Sequence, residues 1–285
     1  MSKKLVVAMS TSGLDYYPDT HNIRILRLNI TVGTETFIDG ETLKADSFED
    51  WLLKNPTGVV KTSPPLDSML TRFFMKIADD GYDEVLVITM SSVLSKTYEY
   101  VKQLIPVFAD KLRIHVFDSK TGTFAEGLMA LEAEQCFNKG MDMESTIMRL
   151  RKMRQNNTVM FAVSDLRYLI NNGRLSQTAG FFANMLSIKP IIQVTPNGEA
   201  IVAEKIMSFN RAMSSLSNHL ERYLKQGTNH RVYLLYTGSK RENFFEFERI
   251  VAENNRLKHL PAYPITPVVS AHAGPNCVGF GIFWE

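Results

Sequence analysis

Four short segments carry side chains suited to holding an oxyanion. Ser91 and Ser92 follow the apolar run Val85-Leu-Val-Ile88 and precede a helical pattern. In open α/β sheets, ligands sit at the carboxyl ends of strands, where helix N-termini offer unpaired N–H groups. Two hydroxyls there make an anion-binding arrangement, although one serine capping the helix accounts equally well for the spacing. Thr62 and Ser63 stand before Pro64-Pro65 and a second helical pattern, with the same two readings, anion donor or cap. His272 lies in the small-residue stretch Ser270-Ala-His-Ala-Gly-Pro275, read as a turn after the β-branched pair Val268-Val269. Small neighbours let an imidazole approach a ligand closely. Arg174 follows Asn171-Asn-Gly173, where the glycine closes a helix in a left-handed cap. Its guanidinium is either a surface group or a contact for an anion or a partner.

The rest of the chemistry is narrower. Cys136 and Cys277 are far apart and outside any Cys/His cluster, so a disulfide framework or a zinc site is not expected and a reducing cytoplasm is. Against 32 basic residues stand 30 acidic ones, which gives no reason to expect nucleic acid as a partner. The basic run from Arg149 to Arg154 has helical spacing and reads as a solvated face. No segment approaches the roughly 18 apolar residues of a membrane span. Neither a P-loop pattern nor G-x-G-x-x-G occurs, which weighs against nucleotide binding. Ser92, His272 and Asp118 could be assembled into a nucleophile, base and orienter, but no G-x-S-x-G elbow accompanies them.

The elements that must position these groups alternate short apolar runs with helical periods, the signature of an α/β protein. Leu5–Met9, Ile23–Val32, Val85–Ile88 and Ile114–Phe117 read as strands. Leu66, Met69, Leu70, Phe73, Phe74 and Ile77 form one helical stripe, and Tyr98, Val101, Leu104, Ile105 and Phe108 another. Helices are expected over about 122–138 and 142–155. The pattern then changes, which places a domain boundary between 157 and 158: an N-terminal α/β domain 1–157 and a C-terminal α/β domain 158–285. In the second, Pro196-Asn-Gly198 turns a hairpin between two apolar runs. Helices over about 209–224 and 242–253 flank a strand at Val232–Tyr236, and a last pair of strands ends the chain.

Taken in order, these segments resemble the DegV family. The matching stretches are Thr62-Ser63 before Pro65; Ser91 to Tyr98 (SSVLSKTY, against the family's SSxLSGTY); Val116 to Ser119; Leu166 to Ser176, against a family pattern ending Gly-Gly-Arg-Ile/Leu-Ser; Ile188 to Ile191; and His272 to Pro275. The resemblance implies an N-terminal parallel-sheet domain, a C-terminal mixed-sheet domain and a long-chain fatty acid enclosed between them. It implies that the carboxylate is gripped by Thr62, Ser92 and His272, with Ser63 and Ser91 beside them, and that the ligand needs no cofactor. It also implies a fatty-acid kinase as partner, with Arg174 as a partner or anion contact. The chain would then be a carrier rather than an enzyme, at most the acceptor subunit of the kinase. The alternatives are a serine-dependent hydrolase and a small-anion-binding α/β protein.

The physics fits that implication. Hydroxyl, imidazole and helix N–H donors give charge-assisted hydrogen bonds to a carboxylate. Burying about sixteen carbons at ~0.8 kcal/mol per CH₂ contributes on the order of 10 kcal/mol before ordering costs. With 17 Phe and 14 Met the chain has large apolar side chains to spare, and Phe181, Phe182, Met185 and Leu186 are the expected tail lining. The chain departs from the family pattern in five places: Met9-Ser-Thr-Ser-Gly13 stands where the family has an Asp-Ser pair after its first strand, Lys96 and Asn172 replace glycines, Met207 replaces a basic residue, and Asn276 replaces the last glycine of Gly-Pro-Gly.

Overall fold

The computed structural model describes residues 2–175 and 188–285. The first part of the chain runs β1 (Lys4–Met9), β2 (Arg24–Leu26), β3 (Asn29–Val32), β4 (Glu35–Ile38), α1 (Ala45–Lys54), β5 (Val60–Ser63), α2 (Asp67–Asp79), β6 (Glu84–Thr89), α3 (Thr97–Leu104), β7 (Arg113–Asp118), α4 (Phe124–Asn138) and α5 (Met143–Gln155). The second runs β8 (Asn157–Ala162), α6 (Arg167–Asn171), β9 (Ile191–Val194), β10 (Ala200–Glu204), α7 (Phe209–Leu224), β11 (Arg231–Tyr236), α8 (Glu242–Asn255), β12 (Ala262–Pro264), α9 (Pro267–Ala273) and β13 (Val278–Phe283).

Three sheets result. Strands β2-β1-β6-β7 form an all-parallel sheet, and β4-β3-β5 an antiparallel one. The order β10-β9-β8-β13-β11-β12 is a mixed sheet, with β11 and β12 parallel and its other pairs antiparallel. The central strands β1 and β6 are buried on both faces, which is why they read as continuous apolar runs. Their period of two still sorts the side chains. Leu5, Val7, Val85 and Val87 face α1, α2 and α3 through Phe48, Leu70, Phe74 and Val101. Val6, Ala8, Leu86 and Ile88 face the other way, into a cluster with α4, α5 and the mixed sheet. The far face of the mixed sheet is covered by Met213, Leu216 and Leu220 of α7 and Phe244 and Phe247 of α8.

The cut at 157/158 falls at the start of β8 and separates the parallel sheet from the mixed one. The cores do not follow that cut. Helix α9, late in the chain, packs Val268 and Ala271 into the cluster of the parallel sheet. Helix α4 lies in the cluster shared by both sheets.

Two local expectations are corrected. The single strand expected over 23–32 is two, β2 and β3, in different sheets. The break is at Arg27, whose guanidinium leaves the strand path to bind both oxygens of Asp15, each at 2.8 Å, and the carbonyl of Asp39. The stretch bearing His272 is the last turn of a helix and not a loop. Pro267 at the first turn of α9 was the available signal. The β-branched pair Val268-Val269 masked it, because burial of Val268 outweighs a weak helix propensity.

Candidate functional site

His272 and Thr62 come from opposite ends of the sequence and meet directly. Thr62 Oγ1 and His272 Nε2 are 2.9 Å apart. Thr62 stands on β5, the edge of the three-stranded sheet, and α9 packs across that strand. The other ring nitrogen, Nδ1, is buried with no hydrogen-bond partner among the described residues. Burial, reinforced by the charge of Arg174, pushes the imidazole pKa down to about 3. The ring is therefore neutral at physiological pH, with one N–H to donate and one lone pair.

Arg174 is placed by the end of α6. Gly173 adopts φ 64°, its N–H donates to Ile170 O at 3.0 Å, and Arg174 N–H donates to Leu169 O at 3.1 Å. This is the Schellman closure that the glycine predicts. The guanidinium donates to two carbonyls, Asn172 O at 2.5 Å and Leu94 O at 3.4 Å. No carboxylate among the described residues pairs with it. Burial lowers its pKa. A half-buried cation with carbonyl partners alone retains an electrostatic demand for an anion.

Thr62, Ser95, Arg174 and His272 line one cavity of about 80 Å³. Its remaining wall is mainly apolar, with Leu94, Phe161, Leu169, Val194, Val268 and Val269. Thr11 and Thr123 also line it, and six polar side chains at a mainly apolar cavity suit an amphipathic anion: a charged end beside Arg174, the neutral His and the hydroxyls of Thr62 and Ser95, and hydrocarbon against the apolar wall.

Ser91, Ser92 and Ser63 are not among the residues lining this cavity. Ser91 Oγ donates to Gly198 O at 2.7 Å and accepts from Val93 N–H at 3.2 Å. It ties the end of β6 to the β9–β10 turn. Gly198 is required there, since its φ is +88° and a Cβ would lie 2.2 Å from Ser91 Oγ. Ser92 Oγ donates to Asp118 Oδ2 at 2.6 Å, and its N–H donates to Oδ1. With Ser92 on Asp118 and His272 on Thr62, the three residues of a Ser/His/Asp relay are split between two clusters. Ser63 is exposed. The capping alternative fails as well, because α2 begins after Leu66 and α3 after Lys96, neither with a side-chain cap.

Ser95 was not singled out from sequence. It sits at the end of a turn in which Leu94 and Ser95 N–H groups both donate to Ser91 O at 3.0 Å. The sequence signal was its place in the SSVLSKTY segment, where the paired serines drew attention away from the third. Asn172, where the family pattern has glycine, donates to Tyr168 O and to Ala271 O, fastening α6 to the end of α9 beside His272. Lys96 and Met207 are exposed. Phe181, Phe182, Met185 and Leu186, the expected tail lining, lie outside the described residues. Among the described residues no group of side chains could hold a metal ion, and no helix is long and apolar enough to cross a membrane.

The chain is similar to known proteins over its whole length. A DegV domain-containing protein of Clostridium acetobutylicum is 28% identical over 99% of both chains. The crystal structure of a fatty acid binding DegV family protein from Streptococcus agalactiae covers 100% of both chains at a TM-score of 0.88 and 22% identity. That of DegV, a fatty acid binding protein from Bacillus subtilis, does so at 0.85 and 24%. These likenesses establish the α/β fold, and the model of the DegV family matches residues 3–285; the chain belongs to the DegV family.

Proposed function

We propose that this protein binds a long-chain fatty acid, with the carboxylate held by Arg174, His272, Thr62 and Ser95 and the acyl chain in the apolar cavity between the two sheets. The observation that carries this reading is Arg174: a half-buried guanidinium without a carboxylate partner among the described residues, opening on a cavity whose wall is mainly apolar. A fatty acid supplies the missing anion and the matching apolar body. The structural likeness to the fatty acid binding DegV proteins of Streptococcus agalactiae and Bacillus subtilis supports the same ligand class here.

The geometry suggests how the ligand enters. In its absence the Thr62–His272 hydrogen bond uses one donor, the hydroxyl or the ring N–H, and leaves the other over. An arriving carboxylate accepts from Thr62, leaving the neutral imidazole to donate its own N–H. Arg174 then gains a charged acceptor, and charge-assisted bonds are about twice as strong as neutral ones. The space of about 80 Å³ is smaller than the ~150 Å³ apolar cavity that takes up benzene. Leu94 and the flexible Met90 must therefore give way for a long tail. The two-unit organisation, 1–157 and 158–285, lets them do so by a small opening between the sheets.

The chain acts in this reading as a carrier in the cytoplasm and not as a hydrolase. Presentation of the bound carboxylate to a fatty-acid kinase extends the reading and rests on the family resemblance. Extraction of the purified protein followed by mass spectrometry tests the ligand. A fatty acid at near-stoichiometric amount is expected. A nucleotide recovered without lipid, from folded protein that also fails to bind added palmitate, overturns the proposal.

A further inference from the structure

The short helix carrying His272 has no cap of its own. Thr266 precedes Pro267 in extended conformation, but its hydroxyl caps nothing and has no hydrogen-bond partner among the described residues. The first turn is instead met by Asp39, which follows β4 and is fully buried. Asp39 Oδ1 accepts from Val268 N–H at 3.2 Å. Its backbone is fixed on both sides, the N–H to Leu28 O at 3.0 Å and the carbonyl to Arg27 at 2.9 Å. Arg27 in turn is clamped by Asp15, and Gly40 leaves room for that pair: a Cβ there would lie 2.4 Å from Asp15 Oδ2.

The same sheet carries the other half of the contact. β3 lies between β4, which leads into Asp39, and β5, which bears Thr62. One small sheet thus holds α9 at its start through Asp39 and meets it at its end through Thr62. We infer that Asp39 is a positioning residue of the headgroup site, setting the place of His272 against Thr62 by anchoring the first turn of α9. A seven-residue helix is a stiff strut about two turns long, so a shift at Val268 is carried to His272. The groups facing the Asp39 carboxyl are Ser10 of the segment after β1, Val268 N–H of α9, and the charges of Arg27 and Asp15, with Tyr16 close by. Burial among them raises the carboxyl to about 7, opposed by the Ser10 hydroxyl and the Val268 N–H, while Oδ2 has no hydrogen-bond partner among the described residues. Keeping a buried carboxyl here is costly unless its acceptor is used.

The inference leans on the fatty-acid reading for one of its two readouts only. The first is the ¹⁵N spectrum of the His272 ring in the ligand-free protein. In Asp39→Ala the Nε2 resonance is expected to move toward that of an imidazole without its Thr62 bond, whereas Asp39→Asn, which keeps an acceptor for Val268 N–H, stays near wild type. The second is palmitate affinity: a loss of about tenfold in Asp39→Ala, within about threefold of wild type in Asp39→Asn. In a His272→Ala background, Asp39→Ala is expected to add almost nothing, since its effect passes through the ring. If Asp39→Ala does not fold, Asp39→Ser makes the same cut with a smaller void. An unmoved His272 resonance, an Asp39→Asn protein as impaired as Asp39→Ala, or an undiminished loss in the His272→Ala background overturns the inference. A wild-type protein that binds no palmitate while the resonance still shifts overturns the fatty-acid reading and leaves this one standing.

Discussion

Two clusters of hydroxyls look alike along the chain and behave oppositely in the fold. Ser91 and Ser92, at the end of β6, spend their hydrogen bonds inside the protein, on Gly198 O and Asp118. Among the described residues Thr62 and His272 have only each other, with Nδ1 of the ring unpaired, beside an arginine that has carbonyls but no carboxylate. The first cluster is a lock between the β6 end and the β9–β10 turn. The second is an unfinished electrostatic arrangement, and what finishes it is an anion. A hydroxyl at a strand end is thus a ligand candidate only when its hydrogen-bond capacity is left over after folding.

The largest effect that sharpens this contrast is expected at Arg174. Arg174→Ala should weaken palmitate binding by roughly 2–4 kcal/mol, the scale for removing one partner of a buried charged pair. The ligand-free protein should melt no lower than wild type, because a desolvated cation has been removed. Calorimetric titration and a thermal melt read the two effects separately. A fall in stability with affinity intact would place Arg174 with the lock.

Next come His272→Ala and Thr62→Ala, each expected to weaken binding by roughly 1–3 kcal/mol. Because each is the other's partner, the double variant should lose clearly less than the sum. Strict additivity in a double-mutant cycle would mean that the two act on separate ligand atoms.

Acid and alkali probe the buried groups around the site with opposite signs. His272 is held near 3 when folded, below its ordinary 6.5, so the stability it contributes is present above 6.5 and lost as pH falls toward 3. Glu126, fully buried, accepts from Met9 N–H and from the hydroxyl of Thr11, which lines the cavity. Burial raises it to about 8, so its contribution is present below about 4.5 and lost as pH rises through 8. Glu126→Gln mimics the protonated acid. It should remove roughly 1–2 kcal/mol of the stability loss between pH 5 and pH 9 in urea melts. An unchanged pH slope would show that Glu126 is ionised throughout.

The smallest effects belong to the lock. Ser91→Ala should cost about 1 kcal/mol of stability by leaving Gly198 O unpaired, while palmitate affinity changes less than about twofold. An affinity loss in Ser91→Ala as large as that in Thr62→Ala would erase the distinction between the clusters.

Much of the fold was legible because it rests on periodicity. The apolar runs of β1 and β6, the helix α2 with Leu70, Phe74 and Ile77 of its stripe buried, and the turn at Gly198 all survive in the structure with small boundary changes. Gly173 also read correctly, since a left-handed helix end has few alternatives. The site was less legible because it depends on leftover capacity, which is a tertiary property. Nothing local distinguishes Ser92, bonded to Asp118, from Ser95, which lines the cavity. Helix α9 was hidden for a related reason: it is short, β-branched at its start and capped by Asp39, a residue more than two hundred positions away.

The central claim is that a carboxylate completes the cluster at Arg174. Palmitate labelled with ¹³C at the carboxyl reports on it directly by NMR. The account predicts one bound resonance that stays ionised to well below pH 5, held there by the guanidinium and two hydroxyls, and that regains ordinary titration or disappears in Arg174→Ala. A bound carboxyl that titrates like the free acid in the wild-type protein, unaffected by Arg174→Ala, would contradict it.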